Sequence, residues 1–125
     1  MSYSIRIDHE NQVLDYKHAG IIDKEQIGEA WRELLDLKEF TSSKYNLMSD
    51  YSEAAFNMDI GDVQLISDFL YTLRDVIKDK KQALIVDKPF NTVVSMLFEG
   101  AVYEKTGFIV KTFSTRKAAL RWLTA

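Results

Sequence analysis

Ala83-Leu84-Ile85-Val86 is an uninterrupted apolar run of strand length, followed within a few residues by a helical repeat and then by a second strand. No other feature restricts the possible folds as tightly. An unbroken apolar strand is one covered on both faces, which is how strands of a parallel sheet read, and Asp87-Lys88-Pro89 stops it. Val94, Leu97, Phe98 and Ala101 then recur at three- and four-residue spacing, with Asn91 placed to cap the start and Gly107 just past the end. Phe108 to Phe113 reads as the next strand. Ser114 opens a final short helix whose Ala119, Trp122 and Leu123 share one apolar face. A β-α-β-α run with such short connections predicts a parallel sheet with covering helices.

The preceding residues supply the rest of that sheet. Tyr3, Ile5 and Ile7 alternate with Ser4, Arg6 and Asp8, the two-residue period of a half-buried strand. A polar turn at 9–12 leads to a second strand over Val13 to His18, so an antiparallel hairpin is expected. Asp23 and Gln26 have capping-box spacing ahead of a helix with an apolar stripe of Ile27, Ala30, Trp31, Leu34 and Leu35, which is expected to end near Leu37 to Phe40. Tyr45 to Asp50 reads as a third strand and Ser52 to Asp59 as an irregular loop carrying Phe56 and Met58. The longest helix is expected from Asp59 and Asp62 through Val63, Ile66, Leu70, Leu73 and Ile77, with Lys78, Lys80 and Lys81 in its last turn.

At 125 residues, 46% of them hydrophobic, the chain is large enough for a core without disulfides or metal, and residues 1–125 are expected to form a single domain. A net charge of −3 with no block of like charge argues against nucleic acid as the main partner. With no cysteine there is no thiol catalysis and no thiolate metal site. The two histidines, His9 in the hairpin turn and His18 at a strand end, are not at ligand spacing, and the five glycines make no phosphate-cradling loop. Asp50, Glu53, Asp59 and Asp62 are the carboxylates that could gather at one sheet edge, but the last two are explained as helix-start residues. No catalytic residues, metal or cofactor are therefore expected. Lys88 closes the fourth strand on the same edge, where it could meet an anionic group. Met48, Phe56, Met58, Phe90, Met96, Phe98 and Tyr103 supply adaptable apolar surface around the third and fourth strand ends, either as core or as a pocket for an apolar ligand. The N-terminus has no leader pattern and no run reaches membrane-spanning length, so a cytoplasmic protein without an integral membrane segment is expected.

Phe113-Ser114-Thr115-Arg116-Lys117-Ala118-Ala119-Leu120-Arg121-Trp122-Leu123, together with Gly20-Ile21-Ile22 before the first helix and the strand Ala83 to Val86, resembles the SpoIIAA-like group of small bacterial proteins, described as STAS/SEC14-type domains. The resemblance implies an α/β domain: a mixed five-stranded sheet, an N-terminal hairpin followed by β-α units, covered by about four helices. It implies two uses. In STAS proteins such as anti-sigma factor antagonists, a serine after the third main strand is phosphorylated to control partner binding. Ser49-Asp50-Tyr51-Ser52-Glu53-Ala54 is the matching stretch here, which points to Ser52 beside Asp50 as the regulatory position, although the paired serines and the Gly-Leu of the family segment are absent. The SEC14-like side implies a carrier or sensor of a small apolar ligand or lipid, with Met48, Phe56, Met58, Phe90, Met96 and Tyr103 around the pocket. The first use, a non-enzymatic protein-interaction module, is the leading expectation, with a protein partner or a small apolar ligand bound and a homodimer open as the assembly.

Overall fold

In the computed structural model, which describes residues 3–125, five strands lie in the sheet in chain order: β1 (Tyr3–Asp8), β2 (Val13–Ile22), β3 (Asn46–Phe56), β4 (Lys81–Ile85) and β5 (Ile109–Phe113). β1 and β2 pair antiparallel, and each later strand pairs parallel with its predecessor. Because every parallel crossover steps the same way, right-handed connections bring the crossover helices to one face. These are α1 (Lys24–Leu35), α3 (Ile60–Tyr71) and α5 (Pro89–Thr106); α2 (Lys38–Thr41) and α4 (Arg74–Ile77) are single turns within the connections. The last helix, α6 (Arg116–Leu123), has no strand after it and packs on the opposite face.

Two apolar layers result. Beneath α1, α3 and α5 lies the larger core, which includes Leu14, Tyr16, Leu47, Tyr51 and Leu84 of the strands with Trp31, Leu34, Leu70 and Val102 of the helices. Beneath α6 lies a smaller one, in which Ala119 and Leu123 meet Val13, Met48, Ala83 and Ile85. At the margin of that second layer Trp122 of α6 packs on Phe113 of β5, with ring centroids 5.5 Å apart. The mixed five-stranded sheet, the N-terminal hairpin and four full helices agree with the sequence expectation.

Local chemistry sets most element ends. Asp23 and Gln26 close a reciprocal capping box on α1, and Asp59 and Asp62 do so on α3. Gly107 ends α5 in the left-handed region at φ 74°, a conformation costly for residues with a Cβ. Thr115, one residue after Ser114, caps α6 by accepting from the Ala118 amide.

Several expectations need correction. The helix after Asp59 stops at Tyr71 and restarts as the single turn α4, so the longest helix is α5. α1 ends at Leu35, and Phe40 belongs to the separate turn α2. Lys80 is not in a helical turn: it is buried and its Nζ donates to the carbonyls of Ser43 and Tyr45 at 2.8 and 2.9 Å. Most consequentially, β3 runs to Phe56 and β2 to Ile22, so Ser52 to Phe56 is strand rather than loop, paired as Ala19 with Glu53 through Ile22 with Phe56.

Asn91 is the reason that extension holds. It does not cap α5, which begins at Pro89 after Lys88. Its buried carboxamide instead donates to the Ala54 carbonyl at 2.9 Å and accepts from the Phe56 amide at 3.1 Å, completing the free edge of β3 as a neighbouring strand would. Asn91→Ala should therefore cost about 2 kcal/mol, since a buried amide and carbonyl lose their partner. Urea unfolding, with hydrogen exchange at Phe56 accelerated beyond the global change, is the check.

Candidate functional site

The middle of β3, from Ser49 to Ser52, carries a polar grouping on each face of the sheet. Along a strand, alternate residues face opposite sides, so Ser49 and Tyr51 point under α1, α3 and α5 while Met48 and Asp50 point toward α6. At Asp50 that alternation slips. The carboxylate Oδ1 accepts from both the Ser52 amide, at 2.9 Å, and the Ser52 hydroxyl, at 2.7 Å, which takes the Ser52 amide out of the ladder. A bulge follows: Lys17 lies opposite Asp50, but Ala19 lies opposite Glu53. Beyond the bulge, Ala54 and Phe56 take the helix-side positions that odd-numbered residues held before it.

On the α6 side, Arg116 forks onto two acids. Its Nη1 donates to Asp50 Oδ2 at 2.9 Å and its Nη2 to Asp15 Oδ2 at 2.5 Å, where Arg6 also donates at 3.0 Å. The two carboxylates are buried, with side-chain exposures of 2% and 9%, whereas Arg116 is 45% exposed. Burial pushes the Asp50 carboxyl up, but the Ser52 hydrogen bonds and the Arg116 guanidinium outweigh it and hold the group below the ordinary carboxylate value. Lys88 completes this corner by donating to the Ser52 carbonyl at 2.9 Å.

On the helix side a polar chain crosses the core. Gln82 Nε2 donates to Ser49 Oγ at 2.9 Å, Ser49 hydrogen-bonds the Tyr51 hydroxyl, and Tyr51 shares a 2.9 Å hydrogen bond with Tyr16. His18 stacks on Tyr51 at 5.6 Å between ring centroids. Burial raises Tyr51 to about 12, so this chain stays neutral at physiological pH. Next to it is a cavity of about 30 Å³, room for one or two waters, roofed by α3 and α5 and walled by Trp31, Phe56 and Met58.

The sequence-predicted residues therefore separate into three groups. Ser52 and Asp50 are hydrogen-bonded to each other within β3 rather than after it. Phe56 and Met58 reach the helix-side cavity. Met48 lies across the sheet under α6, and Phe90, Met96 and Tyr103 stand exposed on α5, so the six proposed pocket residues do not line one space. The carboxylates at the sheet edge also part company: Asp50 meets Arg116, Glu53 meets Lys17, Asp62 meets Lys24, and Asp59 caps α3. Among the described residues, no group of three or more His, Cys, Asp or Glu is placed to hold a metal ion. Sequence reasoning missed Asp15, Arg116, Gln82 and Ser95. A polar residue in a half-buried strand or helix reads as surface, and only the acidic Asp15 between Leu14 and Tyr16 hints otherwise.

A structural search finds a protein of Shewanella loihica PV-4, described as an uncharacterised member of the DUF3478 family with a SpoIIAA-like fold, at TM-score 0.60 over 98% of this chain and 94% of that one. The chain has a SpoIIAA-like fold. At 17% identity the likeness extends to the fold alone. Scans against protein-family models and curated proteins returned no match. Within the SpoIIAA-like architecture, the Asp50–Ser52 corner and the cleft beneath α5 lie on opposite faces of the same strand. Among the described residues, no helix is long and apolar enough to cross a membrane.

Proposed function

We propose that this chain is a non-enzymatic, cytoplasmic regulatory or protein-interaction module of STAS type, and that its partner docks on the outer face of α5. The observation carrying this reading is that α5 is apolar outside as well as inside. Phe90, Val93, Met96, Leu97 and Tyr103 are all exposed, at 46% to 60%. A helix that merely covered a sheet would have a polar outer face, and a row of exposed large apolar side chains marks an interaction surface. Spacing of three and four residues between Phe90, Val93 and Leu97 suits an apolar groove or helix on a protein partner. The start of this helix is tied to the regulatory position, since Lys88 holds the Ser52 carbonyl and Asn91 holds Ala54 and Phe56. Phosphate on Ser52 would remove its hydrogen bond to Asp50 and put two negative groups side by side, loosening the bulge next to the docking helix.

The double substitution Phe90→Ser and Met96→Ser tests this. Both side chains are exposed, so the fold should survive, as circular dichroism would show. Proteins retained by the immobilised wild type should be lost by the variant, or a wild-type dimer should become a monomer, identifying a second copy as the partner. Identical retention and identical mass for both proteins would sink the reading.

A second reading, a carrier or sensor of a small apolar ligand, is favoured by the cavity between the sheet, α3 and α5. Its walls are apolar apart from a few polar groups at the floor, the usual make-up of a ligand site.

A further inference from the structure

Two buried polar atoms without a protein partner belong to side chains that line that cavity. Gln82 is 1% exposed and Ser95 is 2% exposed; both line the cavity, and among the described residues neither Gln82 Oε1 nor Ser95 Oγ has a hydrogen-bond partner. Buried polar atoms are nearly always satisfied, because leaving one unpaired costs its full desolvation. The orientation of the Gln82 amide follows from the network behind it. The Ser49 hydroxyl is engaged with Tyr51, so Gln82 presents its Nε2 to Ser49 and leaves Oε1, an acceptor, as the unpartnered end of a cavity-lining side chain. Ser95, one turn after Asn91 on α5, adds a hydroxyl that can donate or accept.

We infer that this cleft binds a small neutral molecule with a hydroxyl or primary-amide end and an apolar body, the polar end seated on Gln82 Oε1 and Ser95 Oγ. The inference deepens the carrier reading and rests on it. A ligand end that donates satisfies Gln82, and one that also accepts satisfies Ser95. An ionised carboxylate does not fit: it has no proton to give Gln82, and no cationic side chain lines the cavity, so its charge would be buried unpaired. The present space holds only the polar end. Phe56 and Phe98, the two half-buried side chains of the lining, mark where the body leads outward.

Titration of the full isotope-labelled chain with 1-butanol, butyramide and butyrate at neutral pH, followed by NMR, tests it. The alcohol and the amide should produce saturable shifts at the Gln82 side-chain amide and the Ser95 backbone amide, with butyrate binding more weakly by about tenfold or more. Ser95→Ala should weaken 1-butanol by roughly threefold to tenfold. Gln82→Leu also removes the donor to Ser49 and risks misfolding, whereas Ser95→Ala introduces a good helix former at an unpaired position and carries the test by itself. Butyrate binding as tightly as 1-butanol, or a Ser95→Ala variant indistinguishable from wild type, would overturn the ligand chemistry while leaving a carrier standing. No saturable binding of any probe at the cleft, only water filling it, would remove both.

Discussion

Trp31→Ala is expected to cost about 4 kcal/mol, a large part of the stability a domain of this size has, and to lower the melting temperature by on the order of 15 °C. Trp31 is 1% exposed and meets Phe40 and Phe108 edge-on, with ring centroids 5.6 and 5.9 Å apart. It thus joins α1 and the neighbouring turn α2 to the residue just ahead of β5, which is far from both in sequence. A close-packed interior relaxes only partly into the space an indole vacates, so a cavity cost adds to the lost transfer energy. Trp31→Phe should recover more than half of the loss. Thermal unfolding of the three proteins decides the matter: a Trp31→Ala melting point within a few degrees of wild type would mean that α1 does not seat its indole in this core.

The second large effect concerns the ion cluster beneath α6. Arg116→Ala should cost about 2–3 kcal/mol at neutral pH, because it leaves Asp50 and Asp15 buried without the guanidinium that bridges them. The lower end is favoured by the solvent reaching Arg116 and by Arg6, which still meets Asp15. The pH dependence follows from Asp50. Its folded-state value lies below the ordinary 3.8, so the stability it contributes is fully present above 3.8 and is lost as the pH falls through the folded value. The gap between wild type and Arg116→Ala should accordingly narrow as the pH drops from neutral to below the carboxylate range, since a protonated Asp50 no longer needs the arginine. Urea unfolding at both pH values measures this, and a gap unchanged by acid would contradict the role given to Arg116. Arg116→Lys should restore only part of the stability, because an ammonium cannot fork onto two carboxylates.

These two sites differ in how far they could be anticipated. Trp31 was legible as core from its spacing with Ile27, Ala30, Leu34 and Leu35, although its partners Phe40 and Phe108 were not. Arg116 lay within a motif that could be read as a helix, yet its acidic partners are 101 and 66 residues distant in the chain. Charged residues in strands and short helices are ordinarily solvated, so nothing local distinguished Asp50 from a surface carboxylate, and only the apolar neighbours Leu14 and Tyr16 hinted at Asp15. The pocket residues were grouped by type and by proximity in sequence, and that grouping could not tell one face of β3 from the other. A one-residue bulge at Asp50 changes which side chains face the helices, and a bulge of that kind depends on a side chain finding a backbone amide.

The sequence by itself determined the succession of strands and helices, the antiparallel start and parallel remainder of the sheet, and the caps at Asp23, Asp59 and Gly107. Each rests on side-chain periodicity or on hydrogen bonds spanning three or four residues, which are local. Only the tertiary structure decided that β3 continues to Phe56, that the Met and Phe cluster divides between two faces and an exposed helix, and that Gln82 and Ser95 meet at one cavity. Those outcomes depend on Asn91 pairing with a strand 35 and 37 residues earlier and on two buried layers sharing one sheet. Such contacts are selected by packing and by the need to satisfy buried polar groups, and neither condition exists until the elements have come together.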